Sequence, residues 1–192
     1  ITAGADGGTW RVLMRGLRNA VGLAFDPATG TAWATNNGRD MMGDDLPPET
    51  LYRVVDGAHA GWPRCHAGDI VDPELGNEPD PGDGLVGCDG VVAPAARFGA
   101  HMAPLGIDFW EGGAAIAFHG SWNRSEKVGY EVWWLPWDNG PAGEPLTLVG
   151  GFLERETGEA TGRPAGITAG ADGALYVSDD KGGFIYRVVA SP

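Results

Sequence analysis

Long apolar runs, positive charge, cysteine and helix signals are all scarce in this 192-residue chain. Each scarcity removes a class of function. No apolar run approaches the roughly 18 residues that a membrane-spanning helix needs, so no such span is expected. Thirteen Lys and Arg stand against twenty-six Asp and Glu, a formal net charge of −13. A field of that sign repels phosphate backbones and anionic lipid, so nucleic acid and membrane surfaces are poor partners. The only cysteines are Cys65 and Cys88, with no CxxC, and the one imidazole close in sequence, His66, is directly adjacent to Cys65 and not at zinc-finger spacing. A basic, apolar leader is also missing. The sequence opens in mid-pattern at Ile1 without an initiator Met, which reads as a processed or partial chain, so the missing leader carries no information on location.

What is present points to strands. Composition is 43% hydrophobic and 20% charged, which favours a packed core over disorder. Thirty-three Gly and fourteen Pro fit many short strands joined by tight turns. Eight Trp serve either packed β-faces or a surface on which sugars stack. Both cysteines fall in one loop rich in Gly, Asp and Pro. A disulfide closing it is the simplest account and implies an oxidising compartment; two free buried thiols are the alternative.

Three segments share one grammar of strand, tight turn, small-residue strand, polar loop and longer alternating strand. The first runs Val21 to Phe25, Thr31 to Thr35 and Thr50 to Val55; the second runs Leu105 to Trp110, Ala114 to Phe118 and Tyr130 to Leu135. The third runs Pro164 to Thr168, Ala174 to Ser178 and Phe184 to Val189. This is the meander of a β-propeller blade, and the polar loop recurs at one place in every unit, so the three loops should cluster at one end. Trp10 to Met14 reads as the outer strand of a preceding blade, and Leu146 to Phe152 as that of the middle unit. Residues 57–94 read as an inserted loop. ITAGADG occurs at Ile1 and again at Ile167, with different flanks, and is taken as recurrent turn chemistry. The fold expected is all-β, a propeller with about three blades of a larger ring present. Residues 1–192 form the C-terminal part of one domain, completed by a missing N-terminal half or by another chain.

The stretch GLRNAVGLAFDPATGTAWATNNGRD, followed by GDDLPPETLYRVVDGAHAGWPRC, resembles the pyrroloquinoline quinone (PQQ)-dependent soluble sugar dehydrogenases. That is the glucose/sorbosone dehydrogenase family, and its pyranose dehydrogenase-like branch in particular. HMAPLGIDFW, AFHGSWNRSEKVGYEVWWLPW and GRPAGITAGADGALYVSDDKGGFIYRV continue the resemblance in order over nearly the whole chain. It implies a six-bladed propeller carrying PQQ over its axis with calcium. It further implies oxidation of an aldose or pyranose sugar, an external electron acceptor, and a periplasmic or secreted location.

By the same resemblance, Arg18 and Asn19 match the pair that hydrogen-bonds the quinone oxygens, where a guanidinium stabilises the reduced form. Gly38 and Arg39 match a loop whose backbone carbonyls ligate calcium, although relatives often carry Pro in place of Arg39. Asp40, Asp44 and Asp45 are further candidate oxygen ligands, since calcium takes six to eight. Asn123 falls where a Lys binds the cofactor in the glucose-oxidising branch, and Arg124 beside it is the candidate substitute. Arg163 matches an Arg that pairs with a cofactor carboxylate, whereas a second Arg expected two residues on is Ala165. Lys181 is a further cation near the same loops.

Arg97, Arg155 and Arg187 read as solvated charges, and His59 and His66 as loop residues. His101 and His119 are either general bases or histidines hydrogen-bonded in a channel. Trp62, Trp110 and Trp122 either wall a sugar cleft or pack. The family's general base, which takes the sugar hydroxyl proton while hydride moves to the quinone, is a His on an earlier blade outside this chain. A non-catalytic propeller binding a sugar or protein through the loop face, favoured by Ala165 and Asn123, is the main alternative. A calcium-dependent lactone hydrolase is another.

Overall fold

The computed structural model describes residues 2, 3, 8 and 10–190, and among these it contains strands and no helix. The first copy of the ITAGADG turn lies largely outside the described residues. A short pair, β1 (Thr2–Ala3) with β2 (Trp10–Arg11), precedes the main body. Next come β3 (Leu23–Phe25), β4 (Ala32–Asn36) and β5 (Glu49–Arg53), a small hairpin of β6 (Cys65–His66) and β7 (Ile70–Val71), and β8 (Ala96–Phe98). β3, β4, β5 and β8 form one antiparallel sheet in that order, so the chain returns after the hairpin to supply a fourth strand.

A second antiparallel sheet follows from β9 (Pro104–Trp110), β10 (Gly113–Phe118), β11 (Glu131–Pro136) and β12 (Leu146–Val149), in chain order. After the hairpin β13 (Leu153–Glu154) and β14 (Glu159–Ala160), a three-stranded sheet is made by β15 (Pro164–Ala169), β16 (Leu175–Asp179) and β17 (Phe184–Val188). The three units read from the alternating pattern are therefore three antiparallel meanders. Leu146 to Val149 is the outer strand of the middle one, as expected.

The middle sheet is covered on both faces, which explains why β10 is buried along its whole length. Alternate side chains of a strand point to opposite faces. Ala114, Ile116 and Phe118 join Trp33, Leu51 and Phe98 of the first sheet in one core. Ala115 joins Leu175 and Val177 of the third in another. Phe98 and Phe118 meet edge to face with ring centroids 5.0 Å apart. Edge strands of the flanking sheets carry exposed apolar side chains: Leu23 and Phe25 on β3 of the first, and Ile185 on β17 of the third, are all largely exposed.

The innermost strands touch backbone to backbone. β9 lies beside both β3 and β15. A Cβ placed on Gly22 would sit 2.2 Å from the Leu105 carbonyl, and one on Gly106 would sit 2.6 Å from the Ile167 amide. The buried Thr35 hydroxyl bolts the first junction, donating to the Leu105 carbonyl (2.7 Å) and accepting from the Gly22 amide (2.9 Å).

The segment between β5 and β8 carries the disulfide Cys65–Cys88. His66, expected in a loop, is instead buried in β6 with Nε2 2.8 Å from Asp72. The insertion builds its own small core around that pair, which no local sequence pattern announces. No helix among the described residues is long and apolar enough to cross a membrane.

Candidate functional site

Loops preceding the first strand of each sheet, and loops joining its second and third strands, emerge at one end of the structure. They enclose a cavity of about 220 Å³. From the first sheet come Arg18, Asn19, Asn37, Gly38, Asp40 and Glu49; from the second come His101, Ala103, His119, Gly120 and Trp122; from the third comes Arg163. The polar loops of the first two units thus meet at the cavity, and that of the third adjoins them through Asp180, 2.9 Å from His119 Nε2. A recess of about 360 Å³ at the opposite end is lined by Asp26, Glu111 and Asp138 around Phe109, Trp110 and Trp137, with no basic residue. Its charge is wrong for an anionic ligand.

Arg18 and Asn19 are presented by a turn whose two amides both donate to Asn36 Oδ1, at 2.9 and 3.1 Å. The Arg18 guanidinium donates to the Gly38 carbonyl (2.5 Å) and to Asp40 (3.1 Å). It lies over the Trp62 ring, 5.6 Å from the centroid. Arg163 donates from Nε to the His119 carbonyl (3.0 Å) and from Nη2 to the Gly120 carbonyl (2.5 Å), and stacks on Tyr130. Two guanidinium groups held by different sheets therefore converge on one cavity of a strongly acidic chain.

Sequence reasoning missed Asn37 and Glu49. The Asn37 side-chain oxygen is buried at the cavity and has no hydrogen-bond partner. An orphan acceptor in such a place is costly unless something binds there. Glu49, 4% exposed, accepts the amides of Gly38 (2.6 Å) and Ala103 (3.4 Å). Burial raises its pKa to about 6 despite those two amides, and Asp40 nearby adds to the rise. An oxygen-rich pocket with a buried carboxylate and an unpaired carbonyl-type oxygen fits a hard divalent cation. His101 and Ala103 both adopt left-handed backbone conformations at the rim, with φ of 66° and 57°.

The remaining predicted residues lie elsewhere. The Arg39 side chain turns away from the cavity, with Nη1 on both oxygens of Asp72 (2.7 and 2.6 Å) and Nη2 on Glu74 (2.6 Å). Asp45 is exposed and pairs with Arg124 at 3.0 Å. Arg124 also donates to the Asp44 carbonyl, and Asp44 accepts the Ser125 amide at 3.1 Å. Burying the Asn123 amide nitrogen leaves it without a partner. Asp45, Asn123 and Arg124 thus belong to a loop-to-loop seam beside the cavity. Arg97 and Arg187 are partly exposed and ion-paired with Asp69 and Asp172, so neither is merely solvated.

Both candidate histidines are hydrogen-bonded. His119 Nε2 lies 2.9 Å from Asp180 Oδ1 and His101 Nε2 lies 2.8 Å from the Gly43 carbonyl. Trp122 is 72% exposed at the rim, whereas Trp110 is buried and donates to the Gly173 carbonyl (2.8 Å). Ligand atoms of His59, Asp80 and Asp83 gather within 4.8 Å of one another. His59 Nδ1 accepts the Gly61 amide at 3.0 Å, which in the neutral ring leaves the proton on Nε2, the nitrogen 3.4 Å from Asp80. That nitrogen then carries the proton and offers no lone pair to a metal ion.

A family described as TrAA12-like matches residues 86–191, more than half of the chain. The chain belongs to the TrAA12-like family. Among curated relatives, an uncharacterized protein of Borreliella burgdorferi is 32% identical over 90% of this chain and 47% of its own length. A PQQ-dependent pyranose dehydrogenase of Coprinopsis cinerea is 30% identical over 95% of this chain and 32% of its own length. The TrAA12-like chain thus spans half or less of the length of these relatives. The holo form of the pyranose dehydrogenase PQQ domain from Coprinopsis cinerea superposes with a TM-score of 0.73 at 27% identity, covering 91% of this chain and 54% of that one.

In this TrAA12-like chain, Asp179 is a further residue that the sequence reading left unmarked. It is buried and accepts amides of Arg163 (2.8 Å), Lys181 (3.0 Å) and Gly182 (2.8 Å) and the Tyr186 hydroxyl (3.1 Å). Burial pushes its carboxyl up, but these donors outweigh that and hold it below its ordinary value. It thereby fixes the backbone from which Arg163 reaches the cavity.

Proposed function

We propose that this chain is part of a PQQ-dependent sugar dehydrogenase, contributing about three blades to a six-bladed propeller. The observation that carries the reading is the meeting of Arg18 and Arg163 with the orphan Asn37 oxygen, Asp40 and Glu49 in one cavity. Cations for an anionic cofactor and oxygens for a metal sit together there, within a family whose named relatives use PQQ. The exposed Leu23 and Phe25 of the first sheet and Ile185 of the third support a larger ring around them. The disulfide supports a periplasmic or secreted location.

Held at this cavity, PQQ would supply a two-electron hydride acceptor for oxidation of an aldose or pyranose hydroxyl carbon, with an external acceptor taking the electrons on. Arg18 and Asn19 would face the quinone oxygens, where the guanidinium offsets the negative charge of the reduced form. Arg163 would pair with a cofactor carboxylate, while Arg124, beside Asn123, would lend positive potential from the seam. Calcium would be held by the carbonyls of Gly38 and Arg39 with Asp40, and Asn37 and Glu49 would supply further oxygen; Asp45 would act through water from its exposed position. The residue that takes the sugar's proton is assigned to a His outside this chain.

Titration of the full-length protein with PQQ in the presence of calcium, followed by reduction of a dye acceptor with a panel of aldoses, tests the reading. Saturable PQQ binding and sugar-dependent dye reduction are expected. A full-length protein that binds no PQQ overturns it.

A further inference from the structure

The insertion between β5 and β8 touches the cavity's supports at two points. Its body is closed by Cys65–Cys88 and by the buried Arg64, which donates to the Gly87 carbonyl (2.5 Å) beside Cys88. From that body Trp62 reaches under the Arg18 guanidinium. Asp72, wholly buried, takes Arg39 in a two-oxygen grip, while His66 and the amides of Glu74 and Leu75 complete its hydrogen bonding.

Arg39 stands between Gly38 and Asp40, both of which line the cavity. Were its side chain free, a third guanidinium would add positive charge next to any divalent cation. Paired instead with Asp72 and Glu74, it is turned outward and its charge is offset by two carboxylates. The backbone of the loop is anchored by the same contact.

We propose that the disulfide-closed insertion is a clamp on the Gly38–Asp40 loop, with Asp72 as the positioning residue that withdraws the Arg39 charge from the cavity. This inference rests on the calcium reading given above. It assigns a role in cation affinity to residues that touch neither the cavity nor a ligand.

The test is calcium titration of the full-length protein without PQQ, by calorimetry, at low and moderate salt. D72N is expected to bind calcium about tenfold more weakly, the size of effect a released unit charge exerts on a nearby divalent ion in a largely aqueous setting. The loss should shrink as salt rises. The double variant R39Q/D72N removes the released charge and should return to within about threefold of the parent. Unchanged affinity in D72N overturns the clamp. So does a double variant as weak as the single one, because Asp72 would then act only by holding the fold. E74Q, at an exposed position, covers the case in which D72N does not fold: it should weaken calcium about twofold at low salt, and no change there overturns the proposal. A parent protein that binds no calcium overturns the cofactor reading and the clamp together, whereas an insensitive D72N overturns the clamp alone.

Discussion

The carboxylate of Glu49 accepts the amide of Gly38 at 2.6 Å from inside the protein, with only 4% of the residue exposed. A group whose pKa is raised from 4.5 to about 6 on folding binds more protons folded than unfolded between those values. Its contribution is complete below about pH 4.5 and is lost as pH climbs through about 6, an effect of about 2 kcal/mol. Calcium-free protein should therefore melt at progressively lower temperature across that window. Glu49→Gln should flatten the slope, and calcium should restore stability above pH 6. Thermal melts at several pH values with and without chelator check this; an equally steep slope in the variant would sink it.

Arg163 stands on a backbone fixed by Asp179 and lies against Tyr130, so its guanidinium is already oriented. Arg163→Met should weaken PQQ binding by about tenfold, the loss of one charge-assisted contact. Fluorescence titration measures it, and an unchanged dissociation constant would remove Arg163 from the cofactor site.

Gly106→Ala should destabilise the protein by about 1–3 kcal/mol, because the added methyl meets main-chain atoms of β15 that have no rotamer to escape into. Gly112→Ala provides the contrast: its position is open but has φ of 72°, so only backbone strain applies. Urea unfolding of the two variants separates crowding from strain.

Replacing Cys65 and Cys88 together by Ser should cost about 2–4 kcal/mol of unfolding free energy. The loss should concentrate in the insertion, where the disulfide holds β6 near Cys88. Hydrogen exchange should show the amides of Cys65 to Asp72 losing protection before those of β10. Uniform loss across all three sheets would contradict this.

Much of the fold was legible because its signals are local. Asp-Pro-Ala-Thr-Gly and Glu-Gly-Gly turns punctuate alternating apolar runs, and those runs became β3–β4 and β9–β10. The clustering of the polar loops followed from their shared place in each unit. The site was less legible, because its decisive facts lie through space. Nothing near Arg39 in sequence reveals that Asp72, far along the chain, takes its side chain. Asn37 and Glu49 look like ordinary loop and strand-end residues until their burial is known. Asp45 and Arg124 each resemble a ligand alone, and pair with each other when the loops meet.

The main-chain contacts at Gly22 and Gly106 have a consequence for how such a molecule can diversify. Where sheets are spaced by side chains, each substitution at the junction resets the gap. Here the gap is gauged by carbonyls and amides, which are the same in every sequence. The width of the mouth is thus decoupled from the chemistry displayed around it. Loop residues such as Asn123 or Trp122 are free to be exchanged for other chemistries, while the frame that aims them keeps its dimensions.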